Sequence, residues 1–149
     1  MWVQGFNYSG ARALENSRMP LVGFVNEKNL ISPKEREVRT AIVGTWLHAG
    51  AEIGNGTFSD IPLGKSEGAS WFENDVTYGE RIVRPLIESY HDTLRYFRFP
   101  EMDLSGASDQ DLDRVNGFLA GKGYTPVTAT IRFDDERFNT PYINSKIEQ

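Results

Sequence analysis

Short apolar runs alternate with helical stripes along this chain, and that alternation limits its fold more than any other feature. The run Pro20 to Val25, PLVGFV, reads as a strand buried on both faces. Ser32-Pro33-Lys34-Glu35 then opens a helix: Ser32 caps, Pro33 takes the first helical position, and Glu35 returns to the cap amide. Val38, Ile42 and Trp46 follow at a spacing of four, with Val43 and Leu47 beside them, and Gly50 is the natural stop. Ala51 to Asn55 is a short strand. Ser70 to Glu73 is a second capping pattern. It opens a helix whose apolar face runs through Phe72, Val76, Gly79, Val83, Leu86 and Tyr90, kinked or broken at Pro85. Thr93 to Phe99 is aromatic-rich, ends at Pro100 and reads as a strand. Asp109 to Ala120 carries Leu112, Val115, Phe118 and Leu119 at helical spacing and stops at Gly121 and Gly123. Tyr124 to Ile131, rich in threonine and valine, is the last strand. Strands and helices in strict alternation predict an α/β fold, a parallel sheet with crossover helices.

Ligands of such sheets sit beyond the carboxyl ends of the strands. Those ends are Asn26 to Lys28, Asn55 to Asp60, Phe99 to Asp103 and Arg132 to Glu136. Taken alone, Asn55-Gly56 reads equally as a hairpin turn or as a loop that follows a parallel strand.

Composition narrows the partners. With 149 residues, 39% hydrophobic, the chain has the material for one domain around one core. A net charge of -5 argues against a nucleic-acid backbone or an anionic membrane surface as partner. The absence of cysteine excludes disulfides, thiolate metal sites and a cysteine nucleophile. The two histidines, His48 and His91, each fall near a predicted helix end, where an exposed imidazole is the simplest reading. No apolar run is long enough to span a bilayer, and the start MWVQGFNYSG lacks the basic and apolar regions of a signal peptide. The expected location is therefore cytoplasmic.

The segments GFVNEKNL, AGAEIGNGTFSD, LRYFRFPEM, FLAGKGYTPVTATI and FDDERFNTPY, in that order and at similar spacing, resemble the polysaccharide deacetylase (NodB homology) family. The resemblance runs from Pro20 to Tyr142 and leaves residues 1–19 as a divergent N-terminal segment of a single 1–149 domain. It implies a truncated or open version of that family's (β/α) barrel. It also implies the family's chemistry, in which a divalent metal, usually zinc, held by one aspartate and two histidines, activates water against an N-acetyl group.

The family's chemical residues do not carry over. No Asp-Asp motif supplying base and metal ligand occurs in Met1 to Met19. Gly56 stands where the first histidine of the H-x-x-x-H pair belongs, and Asp60 where the second belongs. The Arg-x-Pro motif survives as Arg98-Phe99-Pro100; by resemblance this arginine orients an acidic group. In the next motif Arg132 replaces one acid and Glu136 replaces a tryptophan, within Thr130-Ile131-Arg132-Phe133-Asp134-Asp135-Glu136.

The expected reading is a deacetylase-like domain without deacetylase activity and with no cofactor. Arg98, Asp134 and Asp135 are its candidate catalytic-position residues. Asn55, Thr57, Asp60, Phe99, Pro100 and Phe133 line a carbohydrate or small-ligand groove. No metal site is expected, Asp60 being the single residue that could serve as an oxygen ligand. Trp71, Phe72, Tyr96, Phe97 and Phe99 serve either as core or as stacking platforms for sugar rings. Two other readings stand beside this one: a structural or oligomerisation module without a ligand, and a hydrolase of N-acetyl carbon–nitrogen bonds in which Asp60, Asp134, Asp135 and Arg98 build an oxygen-rich metal site. An open sheet leaves edges, so either WVQGFN adds a strand or two chains form a homodimer through an edge.

Overall fold

The computed structural model describes residues 20–128. Four strands form one parallel sheet in the order β1-β2-β3-β4: β1 (Val22–Val25), β2 (Glu52–Asn55), β3 (Tyr96–Phe97) and β4 (Thr125–Pro126). Val22 to Val25 pair with Glu52 to Asn55 in register, Asn55 with Phe97, and Phe97 with Pro126. The helices are α1 (Arg36–His48), α2 (Ala69–Tyr78), α3 (Val83–Ser89) and α4 (Asp109–Gly121). Spatial order equals chain order, so every crossover steps the same way, as in a barrel wall rather than a doubly wound sheet. The α/β alternation and the parallel sheet are as the sequence predicts.

Several boundaries differ, each for a local reason. The β1 run is buried on both faces only in part: Gly23 and Val25 on one face are buried, whereas Val22 and Phe24 on the other are half-covered. Ser32 to Glu35 make a turn in which Arg36 N–H reaches Ser32 O at 2.8 Å, and regular helix begins at Arg36. Ser70 lies inside α2. The preceding Gly68, at φ +94°, makes the entry, and the Ala69 amide donates to Asp111 Oδ1 of α4 at 3.3 Å, so another helix supplies the cap. The long helix expected to bend at Pro85 is two helices broken at residues 79–82. Pro85 sits in the first turn of α3, where its missing amide leaves no bond unmade. The strand predicted over Thr93 to Phe99 is regular only at Tyr96–Phe97. Of Tyr124 to Ile131, Thr125–Pro126 pairs in the sheet, and the part from residue 129 onward lies outside the described residues, as does WVQGFN.

The core fills the space between sheet and helices. Phe72 of α2 meets Phe97 edge-on at 6.3 Å and stacks on Phe99 at 5.8 Å, while Phe97 tilts against Tyr124 at 5.9 Å. Val43, Val76, Val83, Ile87, Val115 and Leu119 bring one apolar stripe from each helix onto this cluster. The sequence leaves two roles open for these aromatics, and for Phe72, Phe97 and Phe99 the role is core. Asn55 ends a strand paired in parallel on both sides, so Asn55-Gly56 opens a crossover loop, not a hairpin. Among the described residues no helix is long and apolar enough to cross a membrane.

Candidate functional site

The carboxyl ends of β1, β2 and β3 meet at one edge of the sheet, and the loop after β2 is its centre. Asn55 is fully buried and holds that loop from beneath: its Oδ1 accepts the Thr57 amide at 2.7 Å, and its Nδ2 donates to Val76 O at 2.9 Å and to the Tyr124 hydroxyl at 3.0 Å. The end of α2 pins the loop from the side. Phe58 N–H donates to Asp75 O at 3.1 Å, and Asp75 Oδ2 accepts from the Ser59 amide at 3.2 Å and the Ser59 hydroxyl at 2.9 Å. This scaffold forces Thr57 to φ +69° and Asp60 to φ +63°. A β-branched residue in the left-handed region is a true outlier costing roughly 1–3 kcal/mol, and such strain gathers at functional loops. The Asp60 amide closes the turn on Thr57 Oγ1 at 3.2 Å.

An asparagine joins Gly56 to Asp60. Asn26, buried at the end of β1, donates from Nδ2 to Gly56 O and to Asp60 Oδ1, the latter at 3.2 Å. A β-carbon on Gly56 would lie 3.1 Å from Asn26 Nδ2 and 3.2 Å from Val25 O. A β-carbon there would be a tight contact that the Asn26 amide has to yield to by a few tenths of an ångström. Among the described residues no group of three His, Cys, Asp or Glu is placed to hold a metal ion.

Arg98 leaves β3 at the same edge. Its amide donates to Asn55 O at 3.0 Å, and its guanidinium lies over the Phe24 ring, 5.1 Å from the centroid. Gly54 makes room for that ring: a β-carbon there would come within 2.5 Å of it. Burial pulls the Arg98 guanidinium below its ordinary range, and the charge of nearby Asp60 partly offsets the effect. Arginine nevertheless remains a cation at neutral pH. Asn55 and Thr57 are fully enclosed, so what they shape is the loop. Phe99 and Pro100 are buried, Phe99 in the aromatic core. Asp60 and Arg98 are the members of the expected set that keep partial exposure at the edge. Phe133, Asp134 and Asp135 lie outside the described residues. His48 and His91 are exposed at or just beyond the ends of α1 and α3, with His91 at φ +60°.

Two buried acids near the site are not singled out by the sequence, although Glu27 falls within the strand-end segment Asn26 to Lys28. Glu27, buried directly after β1, accepts the Ile82 and Val83 amides through Oε1 at 2.5 and 2.7 Å, tying β1 to the start of α3. Burial raises its pKa, against those amide bonds and Arg81, which lower it. Its one sequence signal is an acid at the foot of an apolar run. Glu80 is also buried and gathers Lys122, Arg84 and the Tyr124 hydroxyl, which donates to Oε2 at 2.6 Å. Burial alone would raise Glu80, but these three donors outweigh it and hold the carboxyl below its usual range, while burial pushes the Tyr124 phenol up. Asn55, Tyr124 and Glu80 thus form one chain of hydrogen bonds from the strand ends to α4's terminus.

No protein-family profile and no curated protein sequence matches the chain. Solved structures do match it. A carbohydrate esterase family 4 (CE4) pseudoenzyme from Bacillus anthracis superposes with a TM-score of 0.69 at 12% identity over 91% of this chain. A mutant of it with restored enzymatic activity gives a TM-score of 0.67 at 15% identity over 89%. The family 4 carbohydrate esterase from Streptomyces lividans, in complex with acetate, gives 0.58 at 17% identity over 84%. The chain therefore has the CE4, or polysaccharide deacetylase, fold, and it has only part of it: it spans 43% of the pseudoenzyme and 56% of the Streptomyces esterase.

Proposed function

We propose that this chain is a deacetylase-fold domain that does not release acetate and that uses the groove at its strand ends to bind a saccharide. One observation carries this reading. The Asn26 carboxamide bridges Gly56 O and Asp60 Oδ1 at the two positions where the family's histidines would stand. A carboxamide in that place offers neither the charge nor the lone-pair set of a zinc ligand. Asp60 spends one oxygen on it, and a lone carboxylate makes a poor cation site. A pseudoenzyme of the same fold supports the separation of this scaffold from hydrolysis. The saccharide half rests on the CE4 likeness and on the partly exposed Arg98 and Asp60, which offer a donor and an acceptor at the groove.

The test is acetate release from N-acetylated chito-oligosaccharides by the full chain, with zinc, manganese or magnesium in excess. The expected result is release at the rate of the buffer blank. Metal-dependent release that disappears in Asp60→Asn would show instead the oxygen-rich hydrolase built on Asp60 with Asp134 and Asp135.

A further inference from the structure

A second concavity opens beside the strand ends, on the outer side of the loop after β2. It has a volume of about 490 Å³, within the range that holds small ligands, and Glu27, Ile31, Arg36, Phe58, Tyr78 and Arg81 line it. It joins the site above directly, because the Lys28 amide donates to Phe58 O at 3.2 Å and Phe58 lies between Thr57 and Asp60. Two aromatic rings form its wall, Phe58 and Tyr78, 6.4 Å apart and inclined at 60°. Tyr78 and Ile31 are 53% and 47% exposed, an open apolar surface that no packing need accounts for.

The arginines are the second observation. Arg39, Arg84, Arg95 and Arg114 each pair with a carboxylate of this chain. Arg36 and Arg81 have no ion pair or side-chain hydrogen bond among the described residues; Arg81 stands over the Tyr78 ring at 5.5 Å. Both line the same concavity. Arg36 also occupies the first position of α1, the positive end of the helix, where a cation costs stability rather than adding to it. The one carboxylate among the described lining residues, Glu27, already accepts two backbone amides through Oε1. In a chain of net charge -5, two cations directed at one aromatic groove suit an anion brought from outside.

Building on the saccharide-binding reading, we propose that this groove takes an acidic saccharide, its ring face on Tyr78 and Phe58 and its oxyanion against Arg36 and Arg81. A uronate carboxylate and a sugar phosphate offer the same oxyanion chemistry. Calorimetric titration of the full chain with tri-galacturonate, galactose 1-phosphate, neutral N-acetyl-chitotriose and polyglutamate separates the possibilities. The expected result is that an acidic sugar binds at least about tenfold tighter than the neutral trimer, as one charge-assisted contact warrants. The better of the two identifies the oxyanion. Arg36→Gln with Arg81→Gln should remove that advantage and leave the chain folded, since neither side chain makes an ion pair or a side-chain hydrogen bond within the described fold; the Arg81–Glu27 attraction lost and the unfavourable Arg36 helix-end charge removed act in opposite directions on stability. Tyr78→Ala should weaken acidic and neutral sugars alike. Equal binding of neutral and acidic trimers, unchanged in the double variant, overturns the charge inference and leaves saccharide binding intact. Binding of no sugar overturns both. Polyglutamate binding as tightly as the acidic sugars shows a charge-only surface and also overturns the proposal.

Discussion

Replacing Glu80 by alanine is expected to cost about 3 kcal/mol of stability, the low end for removing one partner of a buried charge cluster. The low end applies because Lys122 and Arg84 keep 28% and 32% of their side chains in water and can turn outward once the carboxylate is gone. Tyr124 cannot turn out: its hydroxyl is enclosed and would be left with the Asn55 amide and a distant Arg84 nitrogen at 3.4 Å. For a chain of this length the loss corresponds to a fall of roughly 10 °C in melting temperature. The pH dependence carries the sign of the mechanism. The folded carboxyl titrates below the ordinary glutamate value of 4.5, so its contribution is complete above that value and fades as pH falls through the folded pKa. Thermal melts at pH 7 and in steps below pH 4.5 should show the gap between wild type and Glu80→Ala closing toward acid. A gap that stays constant with pH would mean that the loss is one of packing and not of charge.

Gly79→Ala should be nearly as damaging, and its damage should reach the candidate site. Gly79 follows α2 with an ordinary φ of -74°, so no conformational demand explains it. What explains it is proximity: a β-carbon would stand 2.5 Å from Thr57 C, 2.8 Å from Phe58 N and 2.9 Å from Asn55 Oδ1. The first two are backbone atoms of the strained loop, which cannot give way as a side chain does. The expected cost is about 3 kcal/mol, the upper end for overpacking, accompanied by displacement of residues 57–60. Gly117 within α4 is the control. Nothing lies within 4 Å of its would-be β-carbon, so Gly117→Ala should add roughly 0.5–1 kcal/mol through helix propensity. Urea unfolding gives both values, and amide chemical shifts of Thr57 to Asp60 report the loop. Unmoved shifts in a stable Gly79→Ala protein would refute the close approach.

The sheet was legible in the sequence because its information is local. Val22 to Val25 announces itself by its apolar run, and α4 by Leu112, Val115, Phe118 and Leu119 at helical spacing. The order of these elements, with the deacetylase resemblance, points to the correct fold. What was not legible depends on partners far apart in the chain. The cap of α2 comes from Asp111, Glu27 serves a helix that begins at Val83, and Tyr124 reaches Asn55 and Glu80. No periodicity encodes such pairs. The break at residues 79–82 was misplaced onto Pro85 because a proline in the first turn of a new helix looks, in sequence, like one in the middle of an old helix. The site followed the same division. Arg98 and Asp60 stand out through strand-end position together with the family motifs, whereas Asn26 shares the strand-end position but matches no motif, so nothing in the sequence singles it out. Phe99 belongs to an aromatic run that faces the core.

The proposed loss of hydrolysis rests on the Asn26 amide that bridges Gly56 O and Asp60 Oδ1. Anomalous-scattering maps from crystals of the full chain soaked in zinc test it most directly. The expected maps show no ordered zinc within bonding distance of Asp60, with Asn26 still bridging Gly56 O and Asp60 Oδ1. A strong peak coordinated by Asp60, with the Asn26 amide turned away, would contradict it.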